Sequence, residues 1–189
     1  MPHLKNDELK IFRHTGNNVM ISSKASFYNP GNISIGDNTR IDDFCVLSAG
    51  EGGIYIGNNV HIAVFTLLIG NGKIEIDDFA NISSRVSIYS SNDDYSGEFM
   101  TNPTVDKKFT NVTYGNVKIG KHVIIGSGSI ILPNINLGEG ACIGSLSFVK
   151  NDCEPFYMYA GVPAKKIKPR SKKLLELEKE FLKKKFHGK

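Results

Sequence analysis

Tryptophan is absent from the chain, cysteine occurs three times, and no run of apolar residues approaches the roughly 18 to 20 needed to cross a bilayer. Without tryptophan, and with Phe and Tyr scattered, nothing reads as an aromatic stacking surface for nucleic acid. Cys45, Cys142 and Cys153 are odd in number and lack metal-ligand spacing, so neither a disulfide nor a zinc role follows. The amino-terminal stretch has no apolar core of the kind a secretory signal needs, and a soluble, cytoplasmic protein is expected. Charge excludes little: the net value is +4, with the basic residues concentrated between Lys165 and Lys189. Such a segment serves either as a solvated helix face or as a contact for an anion. At 189 residues the chain suits one domain with a short appendage.

What is present is a repeat. Aliphatic residues recur every sixth position in five runs: Ile35, Ile41, Leu47; Ile56, Ile62, Leu68; Ile76, Ile82, Ile88; Ile119, Ile125, Ile131; and Leu137, Ile143, Val149. Four residues after many of these anchors stands a small or slender side chain, as at Thr39, Cys45, Thr66, Ala80, Ser129, Ala141 and Ser147. A six-residue unit with one large and one small inward residue, turned by Gly, Asn or Asp, describes a short strand and a corner. Three units close a triangular coil, and stacked coils bury continuous aliphatic columns. The pattern predicts an all-β parallel solenoid of about five to six coils over residues 19–168, with 1–18 as an amino-terminal cap. Residues 169–189 read as a basic amphipathic helix with Leu174, Leu177, Phe181 and Leu182 on one face, packed on the solenoid or on a neighbouring subunit.

Surplus residues all leave at one corner of the triangle, between the third anchor of one coil and the first of the next. Two of these are small; the third, residues 89–118, is a long loop carrying Tyr89, Tyr95, Phe99, Phe109 and Tyr114, too aromatic for a disordered tether. We expect an ordered flap reaching over an adjacent subunit. Stacking also predicts outward columns. Arg40, His61, Asn81 and Ile124 form one, with His61 beside Asn81, and Asp43, Val64, Ser84, Ser127 and Ser145 form a track of small groups suited to a thin, extended ligand.

The repeat resembles that of the hexapeptide-repeat acyltransferases, whose fold is a left-handed parallel β-helix. The segment from Ile124 to Lys168, ending in "AGVPAKKIK", is similar to the terminal signature of the galactoside and maltose acetyltransferase group. That resemblance implies acetyl-CoA as cosubstrate, without a metal. It implies that Ser127 and Ser145 line the pantetheine track, that Lys150 lies near it, and that Lys165 and Lys168 face the nucleotide phosphates. It also implies a homotrimer with active sites between subunits. Lysine at the last two positions, where arginine is common, keeps charge but loses bidentate geometry.

The group's sugar O-acetyltransferases use a loop histidine as base, and here the matching position is about Asp93. No histidine lies between Asn71 and Lys121. Three candidates remain for the proton: Asp93 and Asp94, adjacent carboxylates at the flap root, and His61, whose imidazole titrates near neutrality. Asn81, Asn92 and Tyr95 suit a polyhydroxylated or amino sugar. The expected activity is acetyl transfer to a sugar hydroxyl or amine, in bacterial surface-polysaccharide biosynthesis by the resemblance. The missing loop histidine leans toward a nucleotide-linked amino sugar, whose nucleophile needs less help. A carbonic anhydrase of the same fold would need several outward histidines at subunit faces, and only His61 and His122 lie within the repeats. A non-catalytic scaffold is the remaining reading.

Overall fold

A computed structural model describes residues 2–187. The anchors do what the period predicts: Ile35, Ile41, Leu47, Ile62, Leu68, Ile82, Ile88, Ile119, Ile125, Ile131 and Leu137 are fully buried, in three parallel sheets that form the faces of a triangular prism. The first face begins at His14–Thr15 and continues through Ile33–Ile35, Ile54–Ile56, Ile74–Ile76, Val117–Ile119 and Asn136–Leu137. The second runs from Met20–Ile21 to Cys142–Ile143 and Tyr157–Ala160, and the third from Ser26–Tyr28 to Phe148–Val149. Every pairing between successive turns is parallel and in register, as Ile62 with Ile82 and Ile82 with Ile125. The small inward positions are also buried, Thr39, Cys45, Ser129 and Ala141 at 0 % exposure, which leaves the volume beside them to the large anchors.

The solenoid is longer than the five to six coils expected. It makes six complete turns and two sides of a seventh, because the end turns use other residues at anchor positions: Thr15 stacks on Ile35, Cys153 bridges to Leu137, and Tyr159 pairs with Ile143. Parallel pairing therefore starts inside the segment expected to be a cap. At the other end, Lys165–Pro169 turns back antiparallel on Tyr157–Ala160 and closes the edge of the second face.

Corners are built from residues with left-handed backbone. Asn38 and Asn59 adopt it at φ near +55°, which asparagine tolerates, but so do Phe44, Phe65, Phe79, Arg85, His122 and Leu146. The return is a hydrogen bond across turns: Phe79 N–H donates to the Asn58 carbonyl at 2.9 Å and His122 N–H to Asp78 at 3.1 Å. Stacking adds to it, with Phe44 on Phe65 and Phe79 on His122, both at 5.1 Å and 15°.

The helix Leu174–His187 lies against the corner between the first and second faces of its own solenoid; residues 188 and 189 of the segment expected as helix lie outside the described residues. Phe181 meets Phe79 edge-on, and Glu178 accepts hydrogen bonds from Lys121 at 2.5 Å and from His122 Nε2 at 2.8 Å. Arg170 ties the approach to the helix by donating to the carbonyls of His122 and Gly140.

Since Ile82 is wholly buried between Ile62 and Ile125, Ile82→Ala leaves a cavity in the middle of a column. Urea unfolding of this variant should show a loss of about 2–5 kcal/mol.

Candidate active site

The long loop leaves the third face after Ser87–Tyr89 and returns to the first at Val117–Ile119. Its root is an antiparallel pair, Ser91–Asn92 with Thr113–Tyr114, and its tip holds a short 3-10 turn, Lys107–Phe109, capped by the Asp106 side chain. The main chain is pinned where it departs. Ser90, fully buried, donates its hydroxyl to the Gly72 carbonyl at 2.7 Å, and its own carbonyl accepts from Gly115 N–H at 3.0 Å.

Two cavities flank this flap. The larger, about 690 Å³, has an apolar floor of Ile130, Leu132 and Phe148 from the third face, with Tyr89, Asn92, Asp93 and Tyr95 above it. The second, about 620 Å³, lies under the flap's tip and is lined by Asn102, Lys107, Thr110 and Asn111 among others. Ile69, Ser91, Asp93 and Val112 belong to both, so Asp93 sits on the wall the cavities share.

The adjacent acids differ. Asp94 is consumed by the loop: its Oδ1 accepts from Ser96 N–H at 2.9 Å and from the Ser96 hydroxyl at 2.7 Å. The Ser96 hydroxyl is the main reason its carboxyl lies below the usual range, with the Ser96 and Gly97 amides and the Asn111 side chain adding to it against a smaller opposing effect of burial. Asp93 has neither a hydrogen bond nor an ion pair among the described residues. Of the residues read from the sequence, the structure thus brings Asn92, Asp93 and Tyr95 to one cavity, with Asp94 shaping the turn beside it.

His61 stands elsewhere. It lies on the second face with Asn81 stacked next to it, as the column predicts, while the flap leaves from the corner between the third and first faces. Within one chain it does not line either flap cavity. Its Nε2 faces Asp42 Oδ2 at 2.9 Å and its Nδ1 faces Asn81 Oδ1 at 3.2 Å, so both ring nitrogens are engaged. Arg40 Nε donates to the other oxygen of Asp42 at 2.6 Å. Burial raises the Asp42 carboxyl, but the hydrogen bonds from His61 and Arg40 outweigh it and hold the group below its usual range. Asp42 was not singled out from the sequence; the signal was the two-residue alternation that puts Arg40 and Asp42 on the same outward side of Ile41.

At the corner between the second and third faces, Ser127 Oγ lies 3.3 Å from Ser84 Oγ, with the exposed Ser145 one turn on. Lys150 follows the strand Phe148–Val149, and Lys165 and Lys168 lie exposed on the closing strand. None of the three is in an ion pair among the described residues, whereas Lys166, between the last two, is held by Glu154 at 2.8 Å. Small hydroxyls beside an apolar floor, with unpaired cations near one end, fit a thin acyl-pantetheine arm that ends in phosphates. Among the described residues no group of three or more His, Cys, Asp or Glu side chains is arranged to hold a metal ion.

The family model described as "Bacterial transferase hexapeptide (six repeats)" matches residues 116–151. The dTDP-4-amino-4,6-dideoxy-D-glucose acyltransferase of Escherichia coli is 62% identical over 179 residues, 93% of each chain. AntD, an N-acyltransferase from Bacillus cereus solved with dTDP and 3-hydroxybutyryl-CoA, is 50% identical and superposes with a TM-score of 0.92 over 97% of this chain and 98% of its own. Other AntD structures carry the substitutions D94N or S84A. A maltose O-acetyltransferase from Clostridium difficile 630, 24% identical with a TM-score of 0.59 over 88% of this chain and 74% of that one, shares the fold.

The Asp42 network yields a pH signature. A carboxyl depressed in the folded state stabilises above its unfolded pKa of about 4 and loses that contribution as pH falls through the lower folded value. Urea unfolding from neutral pH down to about pH 3 should therefore show a shallower acid-side loss of stability for Asp42→Asn than for the native chain.

Proposed function

The chain belongs to the bacterial hexapeptide-repeat acyltransferases, and we propose that it transfers an acyl group from acyl-CoA to the amine of a dTDP-linked 4-amino-4,6-dideoxy sugar. The observation that carries this reading is a flap cavity walled by carboxylate, with no imidazole lining it. A hydroxyl needs a base to become a competent nucleophile, whereas an amine attacks a thioester once its ammonium has lost one proton. A carboxylate suits the ammonium form: it holds the cation, orients it and receives or relays the proton.

In this reading Asp93 presents its free carboxylate to the amine, and Asp94 fixes the turn and supplies a second negative charge. The amine nitrogen bonds to the thioester carbonyl carbon, the carbon–sulfur bond breaks, and the leaving thiolate takes up the N–H proton that the nitrogen gives up as it becomes the amide. Backbone amides and the small hydroxyls at the Ser84–Ser127 corner are the donors placed along the acyl-CoA track. Lys150, Lys165 and Lys168 then meet the phosphates, and Asn92 and Tyr95 meet the sugar. His61 is tied to Asp42 and Asn81 and takes no part in the transfer, its contacts serving the second face.

The active assembly in this proposal is a homotrimer with its sites between subunits. Support comes from the flap's exposed apolar groups, Tyr95 at 87% and Tyr114 at 60%, which a neighbour would cover. A cytoplasmic enzyme supplying N-acylated sugars for surface polysaccharide follows from the same substrate class. No helix of the described residues is long and apolar enough to cross a membrane.

Purified protein should acylate dTDP-4-amino-4,6-dideoxyglucose and leave a neutral galactoside unmodified when both are offered with acetyl-CoA. Asp93→Asn and Asp94→Asn should each lower the rate, by up to about 10²- to 10⁴-fold for the group that handles the proton, while His61→Ala stays close to native. Acylation of the galactoside at a comparable rate would sink the assignment.

A further inference from the structure

The two flap cavities differ in charge. The larger has an apolar floor from the third face and no cation in its lining. The smaller contains Lys107, the one cationic side chain lining either cavity among the described residues. Lys107 is exposed, and among the described residues it has no ion pair. Its neighbour Lys108 is spoken for: its ammonium lies 3.6 Å from Asp106 and 4.8 Å from the Phe109 ring centroid. The Asp106 cap on Lys108 N–H, at 3.0 Å, fixes the short turn that presents Lys107 to the cavity.

The floor of the larger cavity, Ile130 and Phe148, lies on the strands that follow Ser127 and Ser145 around the corner. If acyl-CoA runs along those serines, its thioester arrives at Asp93 from that side. The acceptor must then reach Asp93 from the other side of the shared wall. Acceptor and cavity are both bipolar. An amino sugar linked to a nucleotide through its anomeric carbon has an ammonium at one end of the ring and a diphosphate at the other. The smaller cavity has a carboxylate at one end and Lys107 in its lining, and the reverse orientation would set diphosphate against Asp93.

Resting on the acceptor reading above, we propose that the Lys107 cavity is the diphosphate subsite of the nucleotide-sugar, and that Lys107 selects the nucleotide-linked sugar over the free one. The diphosphate accepts hydrogen bonds from the Lys107 ammonium while the sugar's ammonium lies at Asp93. The larger cavity is left to the acyl-pantetheine arm.

Calorimetric titration of the full chain with dTDP, and separately with CoA, tests the assignment. Lys107→Met should weaken dTDP binding about ten- to a hundredfold, the scale of one charged hydrogen bond, and leave CoA binding unchanged. Lys108→Ala, which removes a lysine already paired on the flap, should bind both ligands as the native chain does. Native-like dTDP affinity in Lys107→Met overturns the subsite, as does a loss confined to CoA. If the native chain itself binds no dTDP, the acceptor reading falls and the subsite with it; if it binds dTDP and Lys107→Met binds it equally tightly, only the subsite falls.

Discussion

Register between turns is the constraint on which everything else depends. A parallel solenoid satisfies its main-chain groups only when each side of one turn lies directly over the same side of the last, and its core is continuous only when the inward residues stack at the same time. Ile74 accordingly pairs with Ile54 before it and with Val117 after it, although the long loop intervenes on the second side and not on the first. Extra residues can leave only where the ladder is already interrupted, at a corner, and the break must be repaired locally. Ser90 makes that repair with its hydroxyl and its carbonyl, and Gly72 allows it: a Cβ there would lie 2.7 Å from the Ser90 carbonyl oxygen. The flap's position is therefore a consequence of the ladder, and so is the placement of Asp93 over the third face.

The same constraint explains what could be read without the structure. A column that must be filled once every six residues leaves a strict trace, and Ile62, Ile82 and Ile125 could be assigned to one stack from spacing alone. Outward neighbours came with it, which is why His61 and Asn81 were legible as a pair. The end turns were not. A terminal column is covered on one side by a cap instead of another coil, so Thr15, Cys153 and Tyr159 suffice where Ile or Leu is otherwise required. Asp42 escaped because the alternation around Ile41 places it beside Arg40 but does not announce its contact across turns, to His61. Lys107 escaped for a different reason. Nothing in "VDKKFT" separates Lys107 from Lys108; only the folded turn, with Asp106 committed to one of them, makes them unequal.

Carboxylates serve three purposes in this chain, and their environments tell them apart. Glu178 and Asp42 are structural: partly or largely buried, each is surrounded by donors that outweigh the cost of burial and hold it ionised. Asp94 is half-buried and spends its acceptor capacity on Ser96, so its charge shapes the loop. Asp93 alone of these four keeps an unspent carboxylate in a cavity wall. Exposed and hydrated, Asp93 makes no stabilising contact in the free protein, so its carboxylate remains available to a bound group. Its partner is to be sought in a ligand.

Which ligand follows from the missing histidine. In the proposed reaction acceptor and thioester meet on rigid strands and a pinned loop, so most of the barrier reduction open to this scaffold comes from positioning. Positioning is enough for an amine, whose lone pair becomes available when a single proton is removed and which a carboxylate can hold in the ammonium form until then. It is not enough for a hydroxyl, which must lose its proton as it attacks and so requires a base near neutrality. Moving His61 into that role would mean breaking two hydrogen bonds and leaving Asp42, buried and charged, with Arg40 as its remaining ion partner. The chain therefore has the machinery for the less demanding of the two reactions, and the flap's freedom from histidine is the mark of an enzyme whose substrate supplies the stronger nucleophile.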